Sequence, residues 1–389
     1  MKIIFYKFYI DFIILFIILI ITYNSIVPII YFYIINLIYL LLKIKRCKLL
    51  INIFYYFKNK MNKAIFSLLL ILNIIYISND NSFTFDYMLE KVKELKKMKK
   101  VAVAGGDNLT ILQACRKAKD LNIADCVLFG VSSKIHEEAQ KGNIDISDFE
   151  IVDKRIDSEI ALAAATLVRS GGADIYAKGS LETKYTLKAI LDNKRGLRKS
   201  RYVSGITILE AKKYNKLLIF TDAHVRPYPT INEKMALIDN SVQFAHSIGI
   251  ENPKVAAVCA LEKVNHIMRE TEEAMALSKM NDIGQIRGCI VDGPLSFDLA
   301  INPKIPKYKG MEKRKIKGDA DIILFPNIHA ANLAYNLMIH VIKAKHATLL
   351  SGTTAPCVFT SRSGDVDSKF NSIILAIFYS EFLQVEDKK

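Results

Sequence analysis

From residue 88 onward, hydrophobic and polar positions follow the alternating pattern of an α/β protein. Short runs rich in β-forming residues are separated by stretches in which apolar residues recur at helical spacing. This alternation predicts βαβ units, in which helices cover both faces of a mostly parallel sheet. The predicted strands are KVAVAGG, DCVLFG, ADIYAKG, KLLIFTDA, KVAAVCAL, GCIVDG, ADIILFP and ATLLSG, and the predicted helices span residues 109–121, 158–170, 233–248 and 330–345.

The first 87 residues have a different character. They contain no glycine, and all 17 glycines lie in the rest of the chain, although the turns of a globular domain need glycine. Residues 12–42 carry no charge and exceed the ~20 apolar residues that cross a bilayer. The basic cluster KIKRCK that follows would stay on the cytoplasmic side. A second apolar run begins at Met61 and is similar to the core of a signal peptide.

Two interpretations of this segment stay open. It could be a true membrane or targeting segment, and the protein would then be anchored or exported. Alternatively, the start site lies too far upstream, because Phe, Ile, Lys, Asn, Tyr and Leu are the residues that an A+T-rich non-coding frame produces. In that case Met88 begins a cytoplasmic protein, and the sequence LEKVKELKKMKK forms a short amphipathic helix that leads into the first strand.

Charge and cysteine content narrow the possible functions. The net charge is +15, of which residues 1–87 contribute +6. This basic excess suits an enzyme that binds phosphorylated, acidic ligands. The lysine-rich runs KELKKMKK and KYKGMEKRKIKG lack interleaved aromatic residues, which argues for solvated surface and against a nucleic-acid partner. The six cysteines form no CxxC pair and have no histidine at metal-ligand spacing, so a reducing compartment is favoured over disulfides or a zinc site.

Two strand ends contain glycines that could place backbone N–H groups near an anion. In VAVAGGDN the pair Gly105-Gly106 lacks the GxGxxG spacing, so it indicates a tight turn and not an NAD site. In AKGSLETKYTLKAIL a strand ends at Lys178-Gly179 and a helix follows. The free N–H groups and the dipole of that helix favour an anion. Ser180 could bind this anion or simply cap the helix.

The stretch TAPCVFTSRSGDVDSKFNS predicts a second such site. A strand runs into the loop of residues 361–367, and apolar positions at helical spacing follow it. Arg362 can hold a phosphate group through two parallel hydrogen bonds. Ser361 can donate to a developing oxyanion, and Asp367 can act as a base or cap the helix. Two candidate anion loops on one α/β chain indicate a site for a phosphorylated ligand.

These residues resemble the phosphate acetyl/butyryltransferase family, and more closely its phosphate butyryltransferase branch. The resemblance covers residues 100–380. It rests on GIENPKVA, LSKMNDIGQIRGCIVDGPLSFDLAI, GDADIILFPNI and GTTAPCVFTSRSGDVDSK, with AKGSLETKYTLKAILDNKRGLR as a looser match. It implies reversible transfer of an acyl group from butyryl-CoA, or a similar short acyl-CoA, to inorganic phosphate, which gives acyl phosphate and CoA. The alternatives are a phosphate acetyltransferase and a catalytically degenerate paralogue that binds CoA.

The resemblance also implies a two-domain fold like that of isocitrate dehydrogenase, with the active site in the cleft between the domains. Residues 88–200 with 351–389 would form the first domain, and residues 201–350 the second. Coenzyme A would be a substrate, with no covalently bound cofactor and no catalytic metal. Family likeness further suggests a homo-oligomer.

Carried over by position, Ser361 would stabilise the tetrahedral intermediate, Arg362 would bind phosphate and Asp367 would deprotonate the CoA thiol. A thiol has a pKa of ~8.5 and needs such a base at neutral pH. Both substrates would bind together, and the attack would be direct. The implied substrate-binding residues are Lys178, Gly179, Ser180, Thr183, Lys188 and Thr360.

Four departures from the family pattern leave the acyl-chain preference open, one of which is the stretch DAHVRPYP around a strand end that faces the cleft. Gly364 replaces a side chain in the TSR loop. Lys188 stands where the family often has an arginine, which would offer a planar fork in place of a point charge. Gly205 stands where the butyryl branch tends to have a histidine.

Overall fold

A computed structural model of the chain describes residues 83–386, with side chains as far as Glu381. The hydrophobic segment of residues 1–82, with both interpretations made of it, lies outside the described residues. Within residues 83–386, no helix combines the length and the apolar character that a bilayer-spanning helix requires.

The described residues contain eleven α-helices and eleven β-strands. We number the helices α1 to α11 along the chain. They are α1 (Phe85–Lys93), α2 (Leu109–Asp120), α3 (Ser132–Lys141), α4 (Asp157–Arg169), α5 (Thr183–Ile190), α6 (Ile231–Ser247), α7 (Arg269–Asp282), α8 (Phe297–Ile301), α9 (Ile305–Tyr308), α10 (Ile328–Asn336) and α11 (Val366–Glu386). A short π-helical turn, Leu337–Val341, continues α10.

The strands form one sheet in the order β3-β2-β1-β4-β11-β10-β5-β6-β9-β7-β8. Their bounds are β1 (Lys99–Ala104), β2 (Ala124–Gly130), β3 (Glu150–Asp153), β4 (Ile175–Lys178), β5 (Ser204–Glu210), β6 (Leu218–Thr221), β7 (Lys254–Val258), β8 (Ile290–Leu295), β9 (Ile322–Leu324), β10 (Lys345–Ser351) and β11 (Cys357–Val358). Neighbouring strands are parallel except where β10 pairs with β11 and β5, and where β5 pairs with β6. The predicted mostly parallel α/β sheet is therefore confirmed.

Strand order follows the two predicted halves of the chain. The strands β3, β2, β1, β4 and β11 come from residues 88–200 and 351–389. The remaining strands come from residues 201–350, apart from the last residue of β10. The two halves thus meet where β11 pairs with β10, and their division into two domains stays a prediction.

The hydrophobic core lies on both faces of the sheet because side chains alternate along each strand. In β1, Val101 and Val103 join a cluster that extends along one whole face, with residues of α1, α2, α6, α7 and α11. Ala102 and Ala104 point to the other face and join a cluster with α4 and α5. A third cluster, with α8 and α10, covers the second half of that face. Both faces of the sheet are therefore buried.

Sequence patterns located all eight strands named above and also the strand of TAPCVFTSR, which is β11, but missed β3 and β5. Three of the predicted helices, at residues 109–121, 158–170 and 233–248, agree with α2, α4 and α6 to within two residues at either end. The helix predicted over residues 330–345 is wrong at its end. The α-helix ends at Asn336, a π-helical turn follows, and Lys343 adopts a positive φ of 56° before β10 begins at Lys345. A left-handed residue does not continue a helix.

The first described helix begins upstream of Met88. Thr84 caps α1 by accepting a hydrogen bond from the backbone N–H of Tyr87 (3.1 Å). Phe85 is only 2% exposed, and its backbone N–H donates to the Glu210 carboxylate (2.9 Å). Because α1 also packs against α11, the folded part of the chain includes residues before the predicted boundary at 88.

We expect Phe85→Ala to destabilise the protein by about 3–5 kcal/mol, since truncating a buried Phe removes apolar contacts and leaves a cavity. Tyr308→Ala, which truncates an aromatic side chain that is 83% exposed, should change stability by less than about 0.5 kcal/mol. Urea unfolding of the two variants measures both effects. Equal, small effects would show that α1 does not belong to the cooperative core.

Candidate active site

The two predicted anion loops lie side by side because β4 and β11 are parallel neighbours. Tyr176 pairs with Cys357 and Ala177 with Val358, so both strands end at the same edge of the sheet. Ligands of α/β sheets bind at this carboxyl edge. Lys178 ends β4, and its Nζ donates to the backbone carbonyl of Thr360 at 3.3 Å. This contact joins the loop after β4 to the loop after β11.

The glycine at the end of β4 allows close contact with the turn after β1. A Cβ atom on Gly179 would lie 1.8 Å from the carbonyl oxygen of Gly105, so no larger residue fits. Ser180 donates its backbone N–H to that same carbonyl (2.9 Å), and its hydroxyl donates to the Asp107 carboxylate. Since α5 begins only at Thr183, the alternative that Ser180 caps this helix is wrong.

A buried lysine holds the loop between β11 and α11. Lys369 has no exposed surface, and its Nζ donates to the backbone carbonyls of Arg362 (3.2 Å) and Gly364 (3.1 Å). The same Nζ donates to Asn108 Oδ1 (3.1 Å) and to the hydroxyl of Thr110 at the start of α2. Four acceptors on two segments thus fix the backbone around Arg362.

Three cations, Lys178, Arg362 and Lys369, gather at this edge of the sheet, and none of them forms an ion pair with a carboxylate among the described residues. Burial, and then the positive charges of Arg362 and Lys369, lower the pKa of Lys178 to about 8. Burial lowers the pKa of Lys369 to about 8 as well, although Asp365 and Cys115 oppose the shift. The Arg362 side chain is exposed, and its guanidinium has no acceptor among residues 83–386. An anionic ligand would relieve this repulsion.

Two carboxylates of the loop occupy different environments. Asp365 caps α11, since its side chain accepts the backbone N–H of Ser368 at 2.8 Å. Burial raises the pKa of Asp365, but the hydrogen bonds with Ser368 lower it, and the net result is a lowered pKa. Asp367, the second residue of α11, is 80% exposed and forms an ion pair with Lys117 (3.1 Å). Asp365, and not Asp367, is therefore the helix cap.

A cavity of about 1010 Å³ opens beside these loops. Of the predicted catalytic and substrate-binding residues, Thr183, Thr360, Ser361 and Asp367 line it, and Gly364 of the same loop does so too. Thr360 is 5% exposed, and its hydroxyl has no hydrogen-bond partner among the described residues. A buried hydroxyl that lines a cavity without a partner can bind a ligand there.

The other predicted site residues lie outside this lining. Lys178, Gly179 and Ser180 lie at the end of β4 and in the turn that follows it. Arg362 lies in the exposed turn of the loop after β11. Lys188 lies farther away along the chain, exposed in the last turn of α5. Its role in substrate binding stays a prediction.

Histidines from the second half of the chain form another wall of the cavity. His224 and His346 both line it, and each packs edge-on against the Tyr335 ring, at centroid distances of 5.1 and 5.7 Å. Burial, and then His346, lower the pKa of His224 to about 4, so its ring is neutral at neutral pH. The two histidines are more than 100 positions apart in the sequence, so no local pattern relates them.

The position of Gly205 is explained by His224. A Cβ atom on Gly205 would lie 3.1 Å from both Cβ and Cδ2 of His224, and 2.8 Å from an oxygen of Asp222. Burial raises the pKa of Asp222 to about 6, although backbone N–H groups, including that of His224 at 2.8 Å, donate to it. The imidazole thus occupies the space that a side chain at position 205 would need.

Metal-binding groups are not evident in the part of the chain that the structure describes. Nowhere in residues 83–386 do three or more His, Cys, Asp or Glu side chains converge as they would around a metal ion.

Comparison with known proteins relates this geometry to one family. The sequence profile described as phosphate acetyl/butaryl transferase matches residues 83–161 and 154–377. The phosphate butyryltransferase of Clostridium acetobutylicum is 42% identical over 293 residues, which are 75% of this chain and 97% of that protein. The phosphate acetyltransferase of Thermotoga maritima is 35% identical over 294 residues, which are 75% of this chain and 99% of that protein.

A solved structure agrees with these sequence relatives. The branched-chain phosphotransacylase from Enterococcus faecalis V583 superposes with a TM-score of 0.65 at 27% identity, covering 73% of this chain and 99% of that one. Sequence relatives and fold therefore lead to the same conclusion: the chain belongs to the phosphate acetyl/butaryl transferase family.

Proposed function

We propose that this protein is a phosphate acyltransferase that converts butyryl-CoA, or a similar short acyl-CoA, and inorganic phosphate into acyl phosphate and CoA, reversibly. One observation carries the proposal. The loops after β4 and β11 lie together through the contact between Lys178 and Thr360, and their cations, which form no ion pair among the described residues, lie beside a cavity of about 1010 Å³. The family membership of the chain and its 42% identity to a phosphate butyryltransferase support the same reaction.

The cations suit inorganic phosphate as the acceptor. The exposed guanidinium of Arg362 can bind two phosphate oxygens at once. Lys178 and Lys369 add positive charge beneath the loop, and the depressed pKa of each reflects burial without sufficient counter-charge. The free hydroxyl of Thr360 can donate to a further oxygen. A phosphate dianion would thus supply the missing counter-charge.

The reaction needs no covalent enzyme intermediate. A phosphate oxygen attacks the thioester carbonyl carbon, and the C–S bond breaks as the tetrahedral intermediate collapses. The Ser361 hydroxyl would donate to the oxyanion of that intermediate. The proton of the attacking hydrogen phosphate ends on the leaving thiolate, with Asp367 as the group that would carry it, and gives CoA. In the reverse direction Asp367 would remove that proton from the thiol before sulfur attacks the acyl phosphate.

The finer architecture belongs to the same proposal. Residues 88–200 with 351–389 would form one domain and residues 201–350 the other, in an isocitrate dehydrogenase-like arrangement with the site in the cleft. In support, Thr183 and Ser361 line the cavity from the first half, and His224 and Tyr335 line it from the second. CoA would bind as a substrate, and homo-oligomerisation and a cytoplasmic location remain expectations of the family resemblance.

Acetyl transfer is the second candidate. It is favoured by the 35% identity to the phosphate acetyltransferase of Thermotoga maritima over nearly the whole of that protein. The two activities differ only in the volume that the acyl chain requires, and each methylene is worth roughly 1–3 kcal/mol of discrimination. CoA release from butyryl-CoA and from acetyl-CoA, with and without phosphate, decides between them.

We expect Arg362→Ala to lower kcat/KM for phosphate by about 100-fold or more, because a charged, bidentate partner of the phosphate is lost. Arg362→Lys should recover part of the activity, since it restores the charge without the fork. Arg155→Ala, at an exposed arginine beyond the edge strand β3, is the matched control. Unchanged kinetics of Arg362→Ala would remove this residue from the site. A folded parent without phosphate-dependent CoA release would favour the degenerate CoA-binding paralogue.

The two loop carboxylates can be separated by isosteric variants. Asp367→Asn should reduce kcat for acyl-CoA synthesis by about 10²- to 10⁴-fold, since the thiol loses its base. Asp365→Asn should cost less than about 10-fold, because Asn caps a helix as well as Asp does. Stopped-flow release of phosphate from butyryl phosphate and CoA measures both variants. The opposite ranking would assign the base to Asp365.

Phosphate binding should weaken as the pH rises through about 8. Lys178 is charged below its depressed pKa of about 8 and neutral above it, so its attraction for phosphate is present at neutral pH and lost at pH 9. KM for phosphate should therefore rise over this interval. In Lys178→Met, KM for phosphate should already be high at neutral pH and should lack the rise that Lys178 causes. Lys279→Met, at an exposed lysine of α7, should keep the wild-type dependence of KM on pH. A flat wild-type KM to pH 9 would contradict this role.

A further inference from the structure

We propose that His224 and Gly205 together determine the length of the acyl chain that the cavity accepts, and that the imidazole ends the space open to a short, unbranched chain. The inference rests on the function proposed above and deepens it by naming what limits the substrate. It comes from the close contact of these two residues: His224 lines the cavity, and Gly205 lies directly beside it.

Two threonine hydroxyls of the sheet hold the imidazole in place. His224 Nε2 is 2.9 Å from the Thr207 hydroxyl on β5, which in turn is 3.2 Å from the Thr348 hydroxyl on β10. The Thr348 carbonyl accepts the backbone N–H of Phe359, which directly precedes Thr360. Adjacent strands are ~4.8 Å apart, so Thr207 lies about 10 Å across the sheet from the Thr360 segment. His224 and Ser361 line the same cavity, so an acyl chain attached near Ser361 would share this space with the imidazole.

The wall around the imidazole mixes apolar side chains with polar ones, among them Asn332, Asn336 and His340, and the apolar ones can contact an acyl chain. Five apolar or aromatic residues line the same cavity near the second half of the chain: Ala223, Ile328, Tyr335, Ile339 and Ala344. His224 packs edge-on against Tyr335, and its burial keeps the ring neutral at neutral pH. A neutral imidazole can contact methylene groups, whereas an imidazolium would have to lose its hydration.

Position 205 decides whether the ring can stay there. An added methyl group on Gly205 would lie 2.8 Å from an oxygen of Asp222 and 3.1 Å from Cβ and Cδ2 of His224. Asp222 accepts the backbone N–H groups of His224 (2.8 Å) and Val225 (3.0 Å), which restrains both the carboxylate and the backbone of this segment. A larger residue at 205 therefore crowds the imidazole, and the free space into which the ring can move is the cavity. The two positions should affect chain length in opposite directions.

The test compares kcat/KM for acetyl-, butyryl-, hexanoyl- and isobutyryl-CoA at saturating phosphate, using the full chain. For His224→Ala we expect the hexanoyl-to-butyryl and isobutyryl-to-butyryl ratios to rise by about 10-fold or more, since a methylene or two is worth 10- to 200-fold in such a pocket. For Gly205→Ala we expect the butyryl-to-acetyl ratio to fall by about 10-fold. His246→Ala, at a histidine of α6 that bonds the Gly288 carbonyl away from the cavity lining, should change neither ratio.

The outcomes separate the inference from the function on which it rests. A wild-type chain without phosphate-dependent CoA release from any of these substrates would overturn the proposed function. An active wild type with unchanged ratios in folded His224→Ala would overturn the inference alone. An equal loss with all four substrates would do the same, because the ring would then serve the reaction and not the chain length. If His224→Ala does not fold, the ratio in Gly205→Ala decides, and an unchanged value overturns the inference.

Discussion

The pairing of β11 with β4 is the constraint on which the candidate site depends. Although β11 contains only two residues, it inserts the end of the chain between β4 and β10 and so joins the two halves of the sheet. Because β4 and β11 are parallel, their following loops meet at one edge, where Lys178 reaches the Thr360 carbonyl. Without this register, the cations after β4 and those after β11 would not share a ligand.

Two buried lysines show how the fold maintains a site for an anion. Lys178 and Lys369 lie almost wholly inside the protein, and burial lowers the pKa of each to about 8. A charge held in such surroundings opposes folding, and hydrogen bonds to carbonyl, amide and hydroxyl oxygens, together with the nearby Asp365 carboxylate, partly offset this. A bound phosphate would interact favourably with both lysines.

The cavity combines two walls of different composition. The loop after β11 and the start of α5 contribute hydroxyl and carboxylate groups, whereas α10 and the segment after β6 contribute Ala223, Ile328 and Tyr335 together with Asn332, Asn336 and a neutral imidazole. An acyl phosphate has the same division, with a charged phosphoryl group at one end and an apolar chain at the other. The close contact between Gly205 and His224 lies at the wall that carries these apolar side chains. A change of chain preference there would leave the phosphate contacts intact.

The sequence by itself determined the alternation of strands and helices, the strand-end loops of Lys178 and Ser361, and the family resemblance, because local periodicity and turn residues report burial and backbone geometry directly. Tertiary structure decided which of those loops became neighbours. It also recruited Lys369, His224 and Tyr335, whose partners are distant in the chain, and it made Asp365 the helix cap. These features follow from long-range strand pairing, which depends on packing across the whole sheet, and a local pattern does not carry that information.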